Sequence, residues 1–121
     1  MTTKDIKLYG NNYSEIRFWN KIYRGICLDR LERELIENAL ILFYAISNAS
    51  LEKKSIIIGA LGYFILPMDL IPDLIPVVGF TDDANLLAFA IREVRSAITT
   101  EVTEKAKKAS ELVIKWWKKV R

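Results

Sequence analysis

Four aspartates in one short segment are the residues of this chain best suited to chemistry. Asp69 and Asp73 each begin an Asp-Leu-Ile-Pro unit, and Asp82 and Asp83 follow as a pair. Carboxylates without histidine or thiolate partners bind hard cations, so a shared site would select magnesium, calcium or manganese. The spacing does not follow the calcium loop of an EF-hand, which places oxygen ligands at alternating positions and ends on glutamate. A metal-dependent enzyme or sensor using these four carboxylates is one hypothesis.

A structural role accounts for the same aspartates without a ligand. An aspartate before a tight turn commonly accepts a hydrogen bond from an amide two or three residues later, and Asp69 and Asp73 stand in that position in the two units. Asp82 and Asp83 stand where a helix is expected to begin, and a carboxylate there complements the free amides and the positive end of the helix dipole. Both interpretations remain open at the level of sequence.

The absence of histidine excludes several kinds of active site. It removes the commonest general base, the commonest zinc ligand and every nucleophile activated by an imidazole. Cys27 is the single cysteine, so no disulfide can form within the chain, as is usual in a reducing compartment. Because Cys27 lies between Ile26 and Leu28, we expect a small buried residue rather than a reactive thiol. No catalytic or cofactor-binding residue is assigned.

Size and the ends of the chain bear on location. The 121 residues suit one helical domain over 1–121. The first residues lack an apolar core with a cleavage site, so we expect no secretory signal and a cytoplasmic protein, with membrane association as an alternative.

The apolar run over 56–66 is about 16 Å long as a helix, against roughly 30 Å of hydrocarbon in a bilayer. We therefore expect residues 35–50 and 55–80 to form a buried hairpin, with insertion into a bilayer as the alternative.

The spacing of apolar residues predicts an all-α fold, a bundle of about five helices. Ser14 caps the first helix, over 14–26, whose apolar residues we expect on one buried side: Ile16, Trp19, Ile22, Tyr23 and Ile26. The second helix begins at Asp29 and should bury a set spaced at three or four residues: Leu31, Leu35, Ala39, Leu42 and Ile46.

The third helix is expected over 51–66, capped by Ser50, and the fourth over 82–98. The proline-rich acidic loop connects these two central helices. Gly59 and Gly62 lower helix propensity, so their presence predicts that another backbone approaches the third helix closely.

The fifth helix, over 100–120, has the clearest apolar period: Val102, Ala106, Ala109, Val113, Trp116 and Val120. From Lys105 to Arg121 there are seven cations and one acid, although the whole chain carries only +3. Off the apolar seam lie the candidates for surface binding: Lys115, Trp117, Lys118 and Lys119. Tryptophan among lysines suits an anionic membrane surface, and a simple solvated face is the alternative. Nucleic acid is less favoured because no binding motif accompanies the charge.

The acidic segment also resembles a known family. The resemblance rests on these residues: Tyr63, Pro67, Asp69-Leu70-Ile71-Pro72-Asp73, Ile75-Pro76, Gly79 and Asp82-Asp83. They are similar to the signature of the YkvA-like domains of unknown function (DUF1232-type), over about residues 42–94. The resemblance implies a small helical protein without an established activity, in a family with some membrane-associated members. We therefore predict a non-enzymatic helical domain that binds a protein partner or a membrane surface.

Overall fold

The computed structural model describes residues 6–27, 33–65 and 83–120. These residues form α-helices in the following order: α1 Glu15–Cys27, α2 Arg33–Ala45, α3 Leu51–Ile65, α4 Asp83–Glu93 and α5 Thr100–Val120. Short 3-10 helices cover Leu8–Asn12, Ile46–Asn48 and Arg95–Ala97. Within the described ranges there is no strand, so the predicted all-α class is confirmed. The predicted start of the second helix at Asp29, and Leu31 within it, lie outside the described residues.

Hydroxyl side chains mark three helix starts. Each accepts a hydrogen bond from a backbone amide three residues later, which satisfies one of the free donors of the first turn. The pairs are Arg17 N to Ser14 Oγ at 3.1 Å, Lys53 N to Ser50 Oγ at 3.4 Å, and Val102 N to Thr99 Oγ1 at 3.2 Å. The predicted caps at Ser14 and Ser50 are therefore confirmed.

The core lies where α2 and α3 meet α1, α4 and α5. Removing one large apolar side chain from water stabilises the fold by about 1.5–3 kcal/mol. The fully buried side chains include Phe18, Ile22, Leu40, Leu42, Ile57, Leu61, Phe64, Leu86, Leu87 and Val94. Most of these stand at helical spacing, which is why the sequence pattern predicts the bundle.

The buried side of α1 differs from the predicted one. Ile22 and Ile26 are buried as expected, but Ile16 is 75% exposed and Tyr23 also faces solvent. Phe18 takes the central place, because its ring stacks on Phe43 of α2 with centroids 4.7 Å apart. Since α1 has apolar residues on more than one side, this packing partner decides which side is buried.

α4 ends earlier than predicted. The α-helix stops at Glu93 and a 3-10 turn over Arg95–Ala97 follows, whereas we expected a helix to residue 98. Val94 and Ala97 remain buried through this change. The apolar period therefore continues across the turn, and periodicity alone does not reveal where the α-helix ends.

Among the described helices, none is both long enough and apolar enough to cross a bilayer. α3 is apolar but has only 15 residues. α5 has 21 residues, but lysines run along its length.

Candidate functional site

The acidic segment lies almost wholly outside the described residues. Asp69, Asp73 and Asp82 are outside them, as are the motif residues Pro67, Pro72, Pro76 and Gly79. Asp83 begins α4, but its side chain is not described. The four-carboxylate hypothesis and the turn hypothesis both stay predictions. Among the described residues, no group of three or more histidine, cysteine, aspartate or glutamate side chains could hold a metal ion.

Residues 6–13 form a segment, here called the N-terminal strap, that lies along α3. A Cβ on Gly59 would stand 2.7 Å from the carbonyl carbon of Ile6, and one on Gly62 would stand 2.9 Å from the carbonyl carbon of Tyr9. Both separations are shorter than Cβ atoms adopt in proteins. The two glycines thus admit the strap backbone against the helix, which confirms the predicted close approach.

Side chains hold the strap in place at three points. Ile6 is fully buried, and the Tyr9 ring meets Tyr63 edge to face with centroids 4.9 Å apart. Lys7 Nζ donates to Glu52 Oε1 at 2.8 Å. This hydrogen bond, followed by the lysine charge, lowers the pKa of the Glu52 carboxyl. Because Tyr63 belongs to the family-like signature, the strap contacts the described end of that motif.

Tyr13 closes the strap just before α1. Burial raises the pKa of its phenol, and the nearby carboxylate of Glu15 raises it further. The Tyr13 side chain packs partly buried against the core. The described surroundings of Tyr13 are therefore those of a packed side chain at the junction between the strap and α1.

The C-terminal half of α5 carries an exposed apolar face among lysines. Leu112 is 67% exposed, Trp116 40% and Val120 55%. Lys115 and Lys119 are exposed beside them, one helical turn apart, whereas the exposed Lys118 lies on the other side of the helix. We call five residues the terminal face: Leu112, Lys115, Trp116, Lys119 and Val120. Large apolar side chains left in water beside cations are typical of surfaces that meet a partner or a membrane.

The two neighbouring tryptophans have exchanged roles relative to the sequence prediction. Trp117, predicted at the surface, packs partly buried against the core, whereas Trp116, predicted in the seam, is more exposed. The reason lies at Ser110, which is 1% exposed. The buried stripe passes through Ala106, Ser110 and Val113, so it is rotated toward Trp117 and away from Trp116.

Trp116 also connects α5 to α1. Its ring meets Tyr23 edge to face, with centroids 4.9 Å apart and an interplanar angle of 83°.

Cys27 at the end of α1 is exposed, so its predicted burial is wrong. The neighbouring apolar residues suggested a core position, but Cys27 falls on the solvent side of the helix.

Sequence reasoning missed Leu112 and Ile16 as surface residues. A signal for Leu112 was present, because this leucine stands off the apolar seam of a lysine-rich helix. Ile16 had no such signal, since its spacing to Trp19 and Tyr23 is that of a buried face. Its exposure follows only from the pairing of Phe18 with Phe43.

Comparison with known proteins gives a family match in the middle of the chain. Residues 53–89 match the model of a family described as a protein of unknown function (DUF1232). The matched range begins in α3, includes the acidic segment and ends in α4. No curated protein and no solved structure matches the chain. The strap, α1 and α5 lie outside the matched range.

Proposed function

We propose that this chain, which carries a DUF1232-type family region of unknown function, acts by association with an anionic membrane surface through the terminal face of α5. The observation that carries the proposal is the exposure of Trp116 between Leu112 and Val120, with lysines around them. Indole rings favour the headgroup level of a bilayer, and lysines there meet anionic lipid. No catalytic step is part of the proposal.

Binding to a membrane requires both the lysines and the apolar side chains of the terminal face. The two lysines of the terminal face contribute about 1 kcal/mol each near an anionic leaflet. Their sum of about 2 kcal/mol falls short of the roughly 4 kcal/mol that corresponds to millimolar affinity. The apolar residues must supply the remainder by leaving water. Binding should therefore need anionic lipid and also an intact Trp116.

A protein partner accounts for this face less well. Lysine is depleted at the centres of protein interfaces, whereas tryptophan and arginine are enriched there. Here the charges beside Trp116 on the terminal face are Lys115 and Lys119. Lysines beside an indole and aliphatic side chains match the composition of interfacial membrane helices.

The test is sedimentation with vesicles of equal parts phosphatidylglycerol and phosphatidylcholine. Lys115→Glu/Lys119→Glu removes about 2 kcal/mol of attraction and should weaken binding about thirtyfold or more. The matched control is Lys107→Glu/Lys118→Glu, which makes the same charge change on the opposite side of the same helix. Equal weakening by the two variants would show a general charge effect and contradict the assignment to the terminal face.

A tryptophan pair separates binding from folding. Trp116→Ala should weaken vesicle binding while the protein stays folded by circular dichroism. Trp117→Ala should instead lower the unfolding midpoint, because Trp117 packs against the core. If Trp116→Ala bound vesicles like the unchanged protein, the proposed role of Trp116 would be wrong.

A further inference from the structure

α1 carries a continuous exposed stripe on the side away from its buried residues. Ile16, Asn20, Tyr23 and Cys27 follow one another at spacings of four, three and four, which places them on one face of a helix. All four are exposed, with Ile16 at 75% and Tyr23 at 38%. We call this set the outer stripe. α5 meets this stripe at Tyr23 through the ring of Trp116, and the other three residues stay exposed.

The charge beside the outer stripe is positive. Arg17 and Arg24 are exposed and stand seven residues apart, so they form a line along one edge of the stripe. α1 contains three cations and one acid, Glu15. Like the terminal face of α5, the stripe combines apolar side chains with cations at its edge, but these cations are arginines and not lysines.

The outer stripe is continuous with the terminal face. Tyr23 belongs to the stripe, and its ring contacts Trp116 of α5 at 4.9 Å. Trp19, partly buried, packs beside Tyr23 with centroids 6.3 Å apart. The aromatic contact therefore joins two exposed apolar surfaces on neighbouring helices, and both carry positive charge at their edges.

We propose that the outer stripe of α1 is the second half of the membrane-contact surface, so that α1 and α5 lie together at the headgroup level of an anionic bilayer. This inference rests on the proposed function of the terminal face. It adds an orientation, because contact along two helices fixes how the protein lies on the surface. It also assigns Ile16 as an inserted residue at the end of α1 farthest from Cys27.

The single cysteine provides a direct probe. Cys27 is exposed on the outer stripe, so an environment-sensitive fluorophore attached there should shift to the blue on addition of phosphatidylglycerol vesicles. Quenchers carried on the lipid chains should reduce its emission. The control is the same fluorophore on Glu104→Cys in a Cys27→Ser background, because residue 104 lies exposed near the other end of α5. The emission of that control fluorophore should not change when vesicles are added.

A matched pair of variants tests insertion. Ile16→Ser should weaken vesicle binding about tenfold, since a large aliphatic side chain no longer leaves water. Leu51→Ser is the control, because Leu51 is a comparable side chain, 83% exposed, at the start of α3. It should bind vesicles like the unchanged protein.

The outcomes distinguish this inference from the function on which it rests. If the unchanged protein binds and Lys115→Glu/Lys119→Glu weakens binding, while Ile16→Ser binds normally and the Cys27 probe stays in water, the inference about α1 is wrong and the proposed function stands. If the unchanged protein does not bind anionic vesicles at all, both are overturned. A blue shift at Cys27 together with loss of binding in Ile16→Ser supports both.

Discussion

The backbone carbonyl of Tyr9 lies so close to Gly62 that a Cβ on residue 62 would stand 2.9 Å from the Tyr9 carbonyl carbon. This contact brings an N-terminal segment outside the matched family range against the helix that leads into the acidic motif. It depends on the missing side chain of one residue, so substitution tests it directly.

We predict that Gly62→Ala destabilises the protein. Alanine improves helix propensity by about 1 kcal/mol, but the strap backbone must shift, and overpacking of this kind costs about 1–3 kcal/mol. The net effect of these two opposing contributions is measured as the free energy of unfolding, obtained from urea denaturation. Gly10→Ala is the control, because its Cβ would make an ordinary contact of 3.5 Å with Ile58 Cγ2. A Gly62→Ala protein more stable than the parent would show the gain in helix propensity without a steric cost, and would mean that the strap does not pack on α3 as described.

A second prediction concerns the buried hydroxyl of Ser110. Among the described residues, Ser110 Oγ has no hydrogen-bond partner, although the residue is 1% exposed. A buried polar group without a partner costs about 1–3 kcal/mol, so Ser110→Ala should raise the free energy of unfolding by an amount of that order. The reciprocal change, Ala106→Ser on the same stripe, should lower it. Loss of stability in Ser110→Ala would reveal a partner for the hydroxyl.

Ser110 also shows how far the sequence could predict the surface of α5. The periodic apolar residues predict the helix and its buried side to within one residue position. The sequence pattern skips Ser110 because it is polar, and that omission assigns Trp116 to the core and Trp117 to the surface. Only the packing of α5 against its neighbours shows that the stripe passes through the serine.

The contact of the strap with α3 was predictable in part for a different reason. Two glycines three residues apart in a helix predict that a backbone approaches there, and one does. Which segment approaches depends on contacts between residues about 50 positions apart. The strap forms a short 3-10 helix over Leu8–Asn12 without an apolar period, so local pattern gives no sign of its position.

The pair formed by Lys7 and Glu52 predicts a dependence on pH. The lysine lowers the pKa of Glu52 below its ordinary value of 4.5 in the folded protein. A lowered folded pKa stabilises the fold above the unfolded pKa, and this stabilisation is lost as pH falls through the folded value. The difference in unfolding midpoint between the parent and Glu52→Gln should therefore shrink as pH falls from 7 toward 3. A difference that grows on acidification would contradict the assigned ion pair.

Thermal unfolding tests the hypothesis that the four aspartates bind a metal ion. If Asp69, Asp73, Asp82 and Asp83 serve turns and a helix start, the unfolding midpoint after chelator treatment should not change on adding magnesium, calcium or manganese. An ion that binds only the folded protein would raise it, because such binding shifts the equilibrium toward the fold. A rise that Asp73→Asn abolishes would favour the metal-dependent enzyme or sensor.

The most direct test of membrane association is sedimentation of the unchanged chain with vesicles at two salt concentrations. The Debye length, beyond which charges are largely screened from each other, is about 10 Å at 0.1 M salt and about 3 Å at 1 M. We predict that the protein pellets with phosphatidylglycerol-containing vesicles at the lower salt, returns to the supernatant at the higher, and does not pellet with pure phosphatidylcholine. A protein that stays in the supernatant throughout, or binds DNA with a steep salt dependence and no vesicle, would contradict the account.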